Sequence, residues 1–341
     1  MYICWPDYKS PVPAGLFLLS LTRKNTYTCP ICSIRILDFY TKYFAVWVVI
    51  FAVAAYFYPA PFTALQPWNG WFFAVTMFGI GAVLSVDDFK HIIKNPVIVL
   101  IGACAQFIIM PFGAFLLAKA FGLPAEAAAG LILAGAAPDA MAGNVMSYVA
   151  KADTAYAISL TTVTTLVCPV VTPGLTYLLA GSRIEIHFWA MLIDVLLTVI
   201  IPLLAGFAIR HYFRKPVEKI LPVFPALSST FIVFICALVV AINREFILEA
   251  TGPILAAVII LNLGGMLGGY GVGAFFKMDY RQKRTLALQV GMQNAALGTR
   301  LAIDYISPKA AIPTAFFIFV CIITAAIAAA IWQRSVPETQ N

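Results

Sequence analysis

Charge is what this chain lacks most: Asp, Glu, Lys and Arg make up 11% of its 341 residues, against 62% hydrophobic ones. The mean hydropathy of +0.92 excludes an ordinary soluble domain. Histidine is scarcer still, at three. His91, His187 and His211 stand far apart at the ends of apolar runs, so no histidine-based metal centre is expected. The seven cysteines form no framework. Cys104, Cys168, Cys236 and Cys321 lie inside apolar runs, where a thiol packs as a small hydrophobe, and Cys29 with Cys32 makes one isolated C-x-x-C. No Ser/His or Asp/Asp pair occurs in compatible apolar runs, and one carboxylate at membrane depth is not a dyad, which argues against an intramembrane hydrolase. No catalytic residue and no organic cofactor are expected.

What the chain does have is long apolar runs. A helix crossing a bilayer needs roughly 20 apolar residues, and ten spans are read at about 43–58, 70–86, 96–118, 125–149, 154–180, 187–209, 222–243, 251–276, 283–304 and 310–332. The fold class is an all-α polytopic membrane protein in a lipid bilayer. The net charge of +7 does not point to nucleic acid, because the basic residues are sorted by side. Seventeen of the 22 Lys and Arg share the side of both termini; Lys119, Arg183, Arg244, Arg300 and Lys309 lie opposite. That bias places both termini in the cytoplasm of a cell inner membrane. Residues 1–38, with an apolar patch at 15–21 too short to span, are read as a disordered or interfacial leader, or as the product of an upstream start codon. The transporter-like part is 39–341.

Spans one to five and six to ten form two odd-numbered halves joined near Gly181–Glu185, so the second half is inverted relative to the first. The fourth span then matches the ninth, and these two carry polar interruptions: Gly135-Ala136-Ala137-Pro138-Asp139-Ala140-Met141-Ala142-Gly143-Asn144 and Gln289-Val290-Gly291-Met292-Gln293-Asn294. Lipid offers no hydrogen bonds to a broken backbone, so breaks at membrane depth survive where protein or a water-filled cavity satisfies them. Paired breaks in corresponding spans are the mark of an inverted-repeat secondary transporter with its site between them.

Asp139 sits at the centre of a span, where a carboxylate costs roughly 2.5–3.5 kcal/mol on the insertion scale and is functional by default. Gln289, Gln293 and Asn294 put three amides within six residues at the same depth. Gln106 in the third span and Thr161 and Thr165, four apart on one face of the fifth, complete a ring of oxygen donors suited to a hard cation such as Na⁺. Arg300, near the outer end of the ninth span, is read either as attracting anions or as snorkelling to the interface.

Gln106-Phe107-Ile108-Ile109-Met110-Pro111, Asn144-Val145-Met146-Ser147-Tyr148, the run to Pro169-Val170-Val171-Thr172-Pro173, and Gly291-Met292-Gln293-Asn294 resemble the bile acid:sodium symporter family, in its bacterial form, along essentially the whole chain after residue 36. The resemblance implies two inverted five-helix repeats, with broken helices four and nine crossing. It implies a panel domain of helices 1, 2, 6 and 7 (about 40–90 and 185–245) and a core domain of helices 3–5 and 8–10 (about 95–182 and 250–333). It implies a monomer moving a small organic anion, with Na⁺ behind the crossover and the anion in front.

The family's sites carry over incompletely. Of one Na⁺ site, Asn144 and Thr161 remain, while Gly143 and Ala157 stand at serine positions and Gln289 replaces a glutamate. Of the other, Gln106, Gln293 and the carbonyls of Val290 and Met292 remain, without the shared glutamate. Losing one charge about 4 Å from a cation forfeits roughly 4 kcal/mol at an effective dielectric of 20, about three decades of affinity. One coupled ion, or none, is therefore expected. Asp139, where the family has a small neutral residue, is left open between binding one Na⁺ or a proton and facing the substrate, where it would repel the anion the relatives carry. Met141, Ala142, Gly143 and Asn294 complete the expected substrate-binding set. Two readings stand beside the Na⁺-coupled transporter: proton-coupled or uncoupled transport using Asp139, and a transporter-like ligand sensor.

Overall fold

The structure is a computed structural model describing residues 44–85, 92–182, 184–213, 217, 220, 223–245 and 251–334. The leader at 1–38, the Cys29–Cys32 pair, His91 and Arg183 at the hinge lie outside the described residues. Those described are helical almost throughout, because an apolar chain in lipid must satisfy its backbone polar groups within itself. The first helices are α1 (Phe44–Phe57), α2 (Ala60–Ala64), a 3₁₀ turn at Gln66–Trp68, α3 (Asn69–Val83) and α4 (Pro96–Ala120). There follow α5 (Ala125–Ala136), α6 (Met141–Val149), α7 (Thr154–Ala180), α8 (Phe188–Val195), a π-helical turn at Leu196–Ile200, and α9 (Ile201–Tyr212). The last are α10 (Val223–Asn243), α11 (Thr251–Phe275), α12 (Tyr280–Gly291), α13 (Ala295–Tyr305), a 3₁₀ turn at Pro308–Ala310 and α14 (Ala311–Arg334).

Among the described residues, five helical stretches are long and apolar enough by length and composition to cross a bilayer: Pro96–Ala120, Thr154–Ala180, Phe188–Tyr212, Gly252–Phe275 and Pro308–Gln333. The remaining expected spans are built from shorter helices. The fourth is α5 and α6 end to end, and the ninth is α12 and α13, each interrupted where the sequence predicts a break. Pro202 explains the π-helical turn, since it has no N–H to return to Thr198 and loosens the ladder there.

The helices form contact sets that also touch one another, through α7 on α8 and α10 on α14. α1 lies on α10, and α3 lies on α9 and α10; α4 packs on α5, α7 and α11, α11 on α12, and α14 on α5, α11 and α13. Small residues allow the closest approaches. A side chain at Gly81 would run into the carbonyl of Leu203, and one at Gly206 into that of Phe78, so this reciprocal pair lets α3 and α9 touch backbone to backbone.

Candidate functional site

The two breaks meet. Ala140 N donates to Met292 O at 2.8 Å and Asn294 N donates to Pro138 O at 2.7 Å, making an antiparallel bridge between Asp139 and Gln293. Each interruption thus supplies the backbone partners that the other lost. Side chains from neighbouring spans satisfy the rest. Thr172 Oγ1 donates to Ala136 O at 2.7 Å, and Gln106 Nε2 to Ala137 O at 3.3 Å. Around the second break, Gln293 Nε2 donates to Val290 O at 2.8 Å and Asn262 Nδ2 to Gly291 O at 2.8 Å. Six carbonyls at the breaks, those of Ala136, Ala137, Pro138, Val290, Gly291 and Met292, thus have a donor. The carbonyls of Val290 and Met292 keep a second lone pair for a cation.

The crossover has a buried side and an accessible side. Gln106 and Gln289 are fully buried, and Asp139, Thr161 and Gln293 are 1–2% exposed. Met141, Asn144 and Asn294 are half-buried, and Ala142 is exposed. Two clusters occupy the buried side. In the first, Asn144 Oδ1 accepts from Thr161 Oγ1 at 2.9 Å and from Gln289 Nε2 at 2.8 Å, while Thr161 Oγ1 lies 3.4 Å from Gln289 Oε1. Gly143 makes the room: a Cβ there would come within 2.7 Å of Gln289 Oε1. In the second, Gln106 Nε2 donates to Gln293 Oε1 at 2.5 Å beside Asp139.

Asn294 Oδ1 accepts from Leu297 N at 3.2 Å and caps α13, so its amide N–H₂ is the group left to meet an anion. At the start of α6 the capping residue is Ala140, with no side-chain acceptor, which leaves the first N–H groups of the helix for a ligand.

Several contributors escape the sequence reading. Thr164, not Thr165, reaches Asp139: its Oγ1 lies 3.4 Å from Asp139 N. Asn262 was readable by the rule applied to Gln106, as a lone amide in the middle of a span. Thr324 Oγ1 in turn donates to Asn262 Oδ1 at 2.7 Å. Asp194, a carboxylate well inside the sixth span, was passed over although the rule that flagged Asp139 applies to it equally.

Asp194 corrects the reading of Arg300. The Arg300 side chain is 4% exposed and ion-paired to Asp194 at 2.7 Å and to Asp304 at 3.3 Å, with Nη1 donating to Thr198 Oγ1 at 2.8 Å. It therefore does not snorkel, and its charge is already matched by two carboxylates. The pair ties α13 to the π-turn region after α8. Arg300→Leu should strip Asp194 of its buried counter-charge and cost about 3–5 kcal/mol, whereas the double change with Asp194→Leu should cost much less. Unfolding midpoints in detergent for the two single variants and the double variant check this, and additive losses would refute it.

A bundle of apolar helices, two of them broken at depth and bonded break to break around buried amides, defines the chain as a polytopic membrane transporter. The Sodium Bile acid symporter family model matches residues 71–250. The chain is 38% identical over 307 residues to the uncharacterized sodium-dependent transporter YocS of Bacillus subtilis (strain 168), covering 90% of this chain and 95% of that protein. It is 31% identical over 297 residues to the probable chloroplastic sodium/metabolite cotransporter BASS1 of Arabidopsis thaliana, covering 86% and 74% of the two. It is also 31% identical over 293 residues to BASS3 of the same plant, covering 84% and 67%. The chain belongs to the sodium bile acid symporter family. Family and relatives are transporters, not enzymes.

Proposed function

We propose that the chain is a secondary transporter that carries a small organic anion across the inner membrane by alternating access, coupled to Na⁺. The observation that carries this reading is the crossover: two breaks bonded to each other, with oxygen-bearing side chains buried on one side and an accessible surface on the other. The anion's carboxylate is met by the Asn294 amide and by the N–H groups of Met141 and Ala142 at the uncapped start of α6, where the helix dipole favours negative charge. Met141 and Ala142 add an apolar wall.

Two groups of helices fit a panel rocking against a core, at about 40–90 with 185–245 and about 95–182 with 250–333. The inverted repeat draws support from matched roles. Gln106 in the third span and Asn262 in the eighth each donate to a carbonyl at the break of the span that follows. The sodium requirement comes from the names of the relatives. Both termini are cytoplasmic on the charge bias, and the working unit is a monomer.

Reconstitution into liposomes and uptake of a panel of labelled carboxylates and sulfonates, with and without an inward Na⁺ gradient, tests the reading. Accumulation of at least one anion above its equilibrium level is expected under the gradient. No accumulation of any anion under Na⁺ or proton gradients would sink it.

A further inference from the structure

The residues expected to hold a cation do not fare alike. At the Asn144–Thr161–Gln289 cluster, the place of a cation is taken by an amide. Gln289 Nε2 points its N–H at Asn144 Oδ1, which also accepts from Thr161 Oγ1, so the acceptors a cation would use are already engaged. The single hydroxyl hydrogen of Thr161 is shared between Asn144 Oδ1 and Ala157 O, which lies 3.1 Å away. Gly143 is what admits the amide, for even one added carbon at that position would crowd Gln289 Oε1. This cluster is a closed hydrogen-bonded strut.

Asp139 presents the opposite picture. It is 1% exposed, and neither carboxyl oxygen makes a well-formed hydrogen bond, the Thr164 hydroxyl being the polar group that interacts with its side chain. Among the described residues no Lys, Arg or His forms an ion pair with it; the described ion pairs belong to Arg244 and Arg300. The bridge sets Asp139 directly opposite Gln293, and residues directly opposite in an antiparallel pair project to the same face. Gln293 is bonded to Gln106, whose own Oε1 is likewise buried and unpartnered. The three orphaned oxygens thus lie on residues linked by the backbone bridge and by the Gln106–Gln293 bond. A buried carboxyl is satisfied by a proton or by a cation, and carboxylate with amide oxygens is the donor set of a hard cation.

We infer that Asp139, with Gln106 and the segment around Gln293, holds the single Na⁺ of this protein, and that the Asn144–Thr161–Gln289 strut holds none. The inference rests on the transport reading for its role, but not for its test. Binding of ²²Na⁺ to the purified protein in detergent reads it without any substrate. Wild type is expected to bind one Na⁺ saturably. Asp139→Asn keeps the shape of the side chain and removes the charge, so it should weaken binding by about a thousandfold while staying monodisperse. Thr314→Val, which removes a buried hydroxyl bonded to Thr299 and outside the crossover, should leave Na⁺ binding within about twofold of wild type.

Retained binding in Asp139→Asn, two Na⁺ bound per wild-type chain, or binding lost equally in Thr314→Val would overturn the assignment, as would wild type that binds no Na⁺ between about pH 5 and 8. The two readings fail separately. Na⁺ binding that depends on Asp139 in a protein that accumulates no anion removes the transport reading, and uptake with Na⁺ binding indifferent to Asp139 removes this one.

Discussion

Asn294→Ala is expected to reduce anion uptake about ten- to a hundredfold while leaving a folded, monodisperse protein. The residue does two separable jobs. Its Oδ1 caps α13 through Leu297 N, and losing such a cap costs about 1 kcal/mol, too little to unfold the protein. Its N–H₂ is the side-chain donor placed for the substrate's carboxylate, and a hydrogen bond to a charged group is worth roughly 1.5–3 kcal/mol. The backbone bond from Asn294 N to Pro138 O is untouched by the change, so the crossover stays joined. Asn144→Ala should stop uptake by another route. It leaves the Gln289 amide and the Thr161 hydroxyl without their shared acceptor, which loosens the crossover on its buried side. Size-exclusion profiles beside uptake rates separate the two effects, and normal uptake by both variants would take the crossover out of the mechanism.

Gln289→Glu is expected to add a Na⁺ rather than simply damage the site. The change replaces an N–H donor by an oxygen facing Asn144 Oδ1 across the 2.8 Å now bridged by a hydrogen bond. Two acceptors at that distance repel unless a cation sits between them. Gly143→Ser made in the same chain supplies a hydroxyl, and Thr161 Oγ1 is already in place. Moving one charge to within about 4 Å of a cation is worth about a thousandfold in affinity. The Na⁺ dependence of uptake should therefore steepen from a Hill coefficient near one towards two. With Asp139→Gly added, dependence should persist through the rebuilt cluster. An unchanged Hill coefficient in the Gly143→Ser, Gln289→Glu variant would show that the strut is not a closed ion site.

Much of this arrangement is legible in the sequence because lipid is a strict solvent. Every apolar run long enough to span is occupied by helix among the described residues, and the breaks fall where Pro138 removes a donor and where glycines flank amides. The clustering of Gln289, Gln293 and Asn294 could be read because dense polarity at depth has few bland explanations. Single polar residues could not be ranked that way. Asn262 and Thr172 look like any helix-packing residue until the fold delivers a broken helix end to each of them. Thr164 and Thr165 are adjacent, and no periodicity says which one turns towards Asp139. Arg300 was misread because its partner Asp194 lies 106 positions away. A charge beside the end of a span invites snorkelling unless a counter-charge from another span is known to be near. The replacement of serine by Gly143 was legible as a loss, whereas its use as room for the Gln289 amide required coordinates.

Initial uptake of the transported anion into proteoliposomes, measured against external Na⁺ for wild type and Asp139→Asn, tests the account most directly. Uptake driven by the inward Na⁺ gradient with a Hill coefficient near one is expected in wild type, with loss of Na⁺ stimulation in Asp139→Asn. Uptake in Asp139→Asn with the wild-type Na⁺ dependence, or a wild-type Hill coefficient near two, would contradict it.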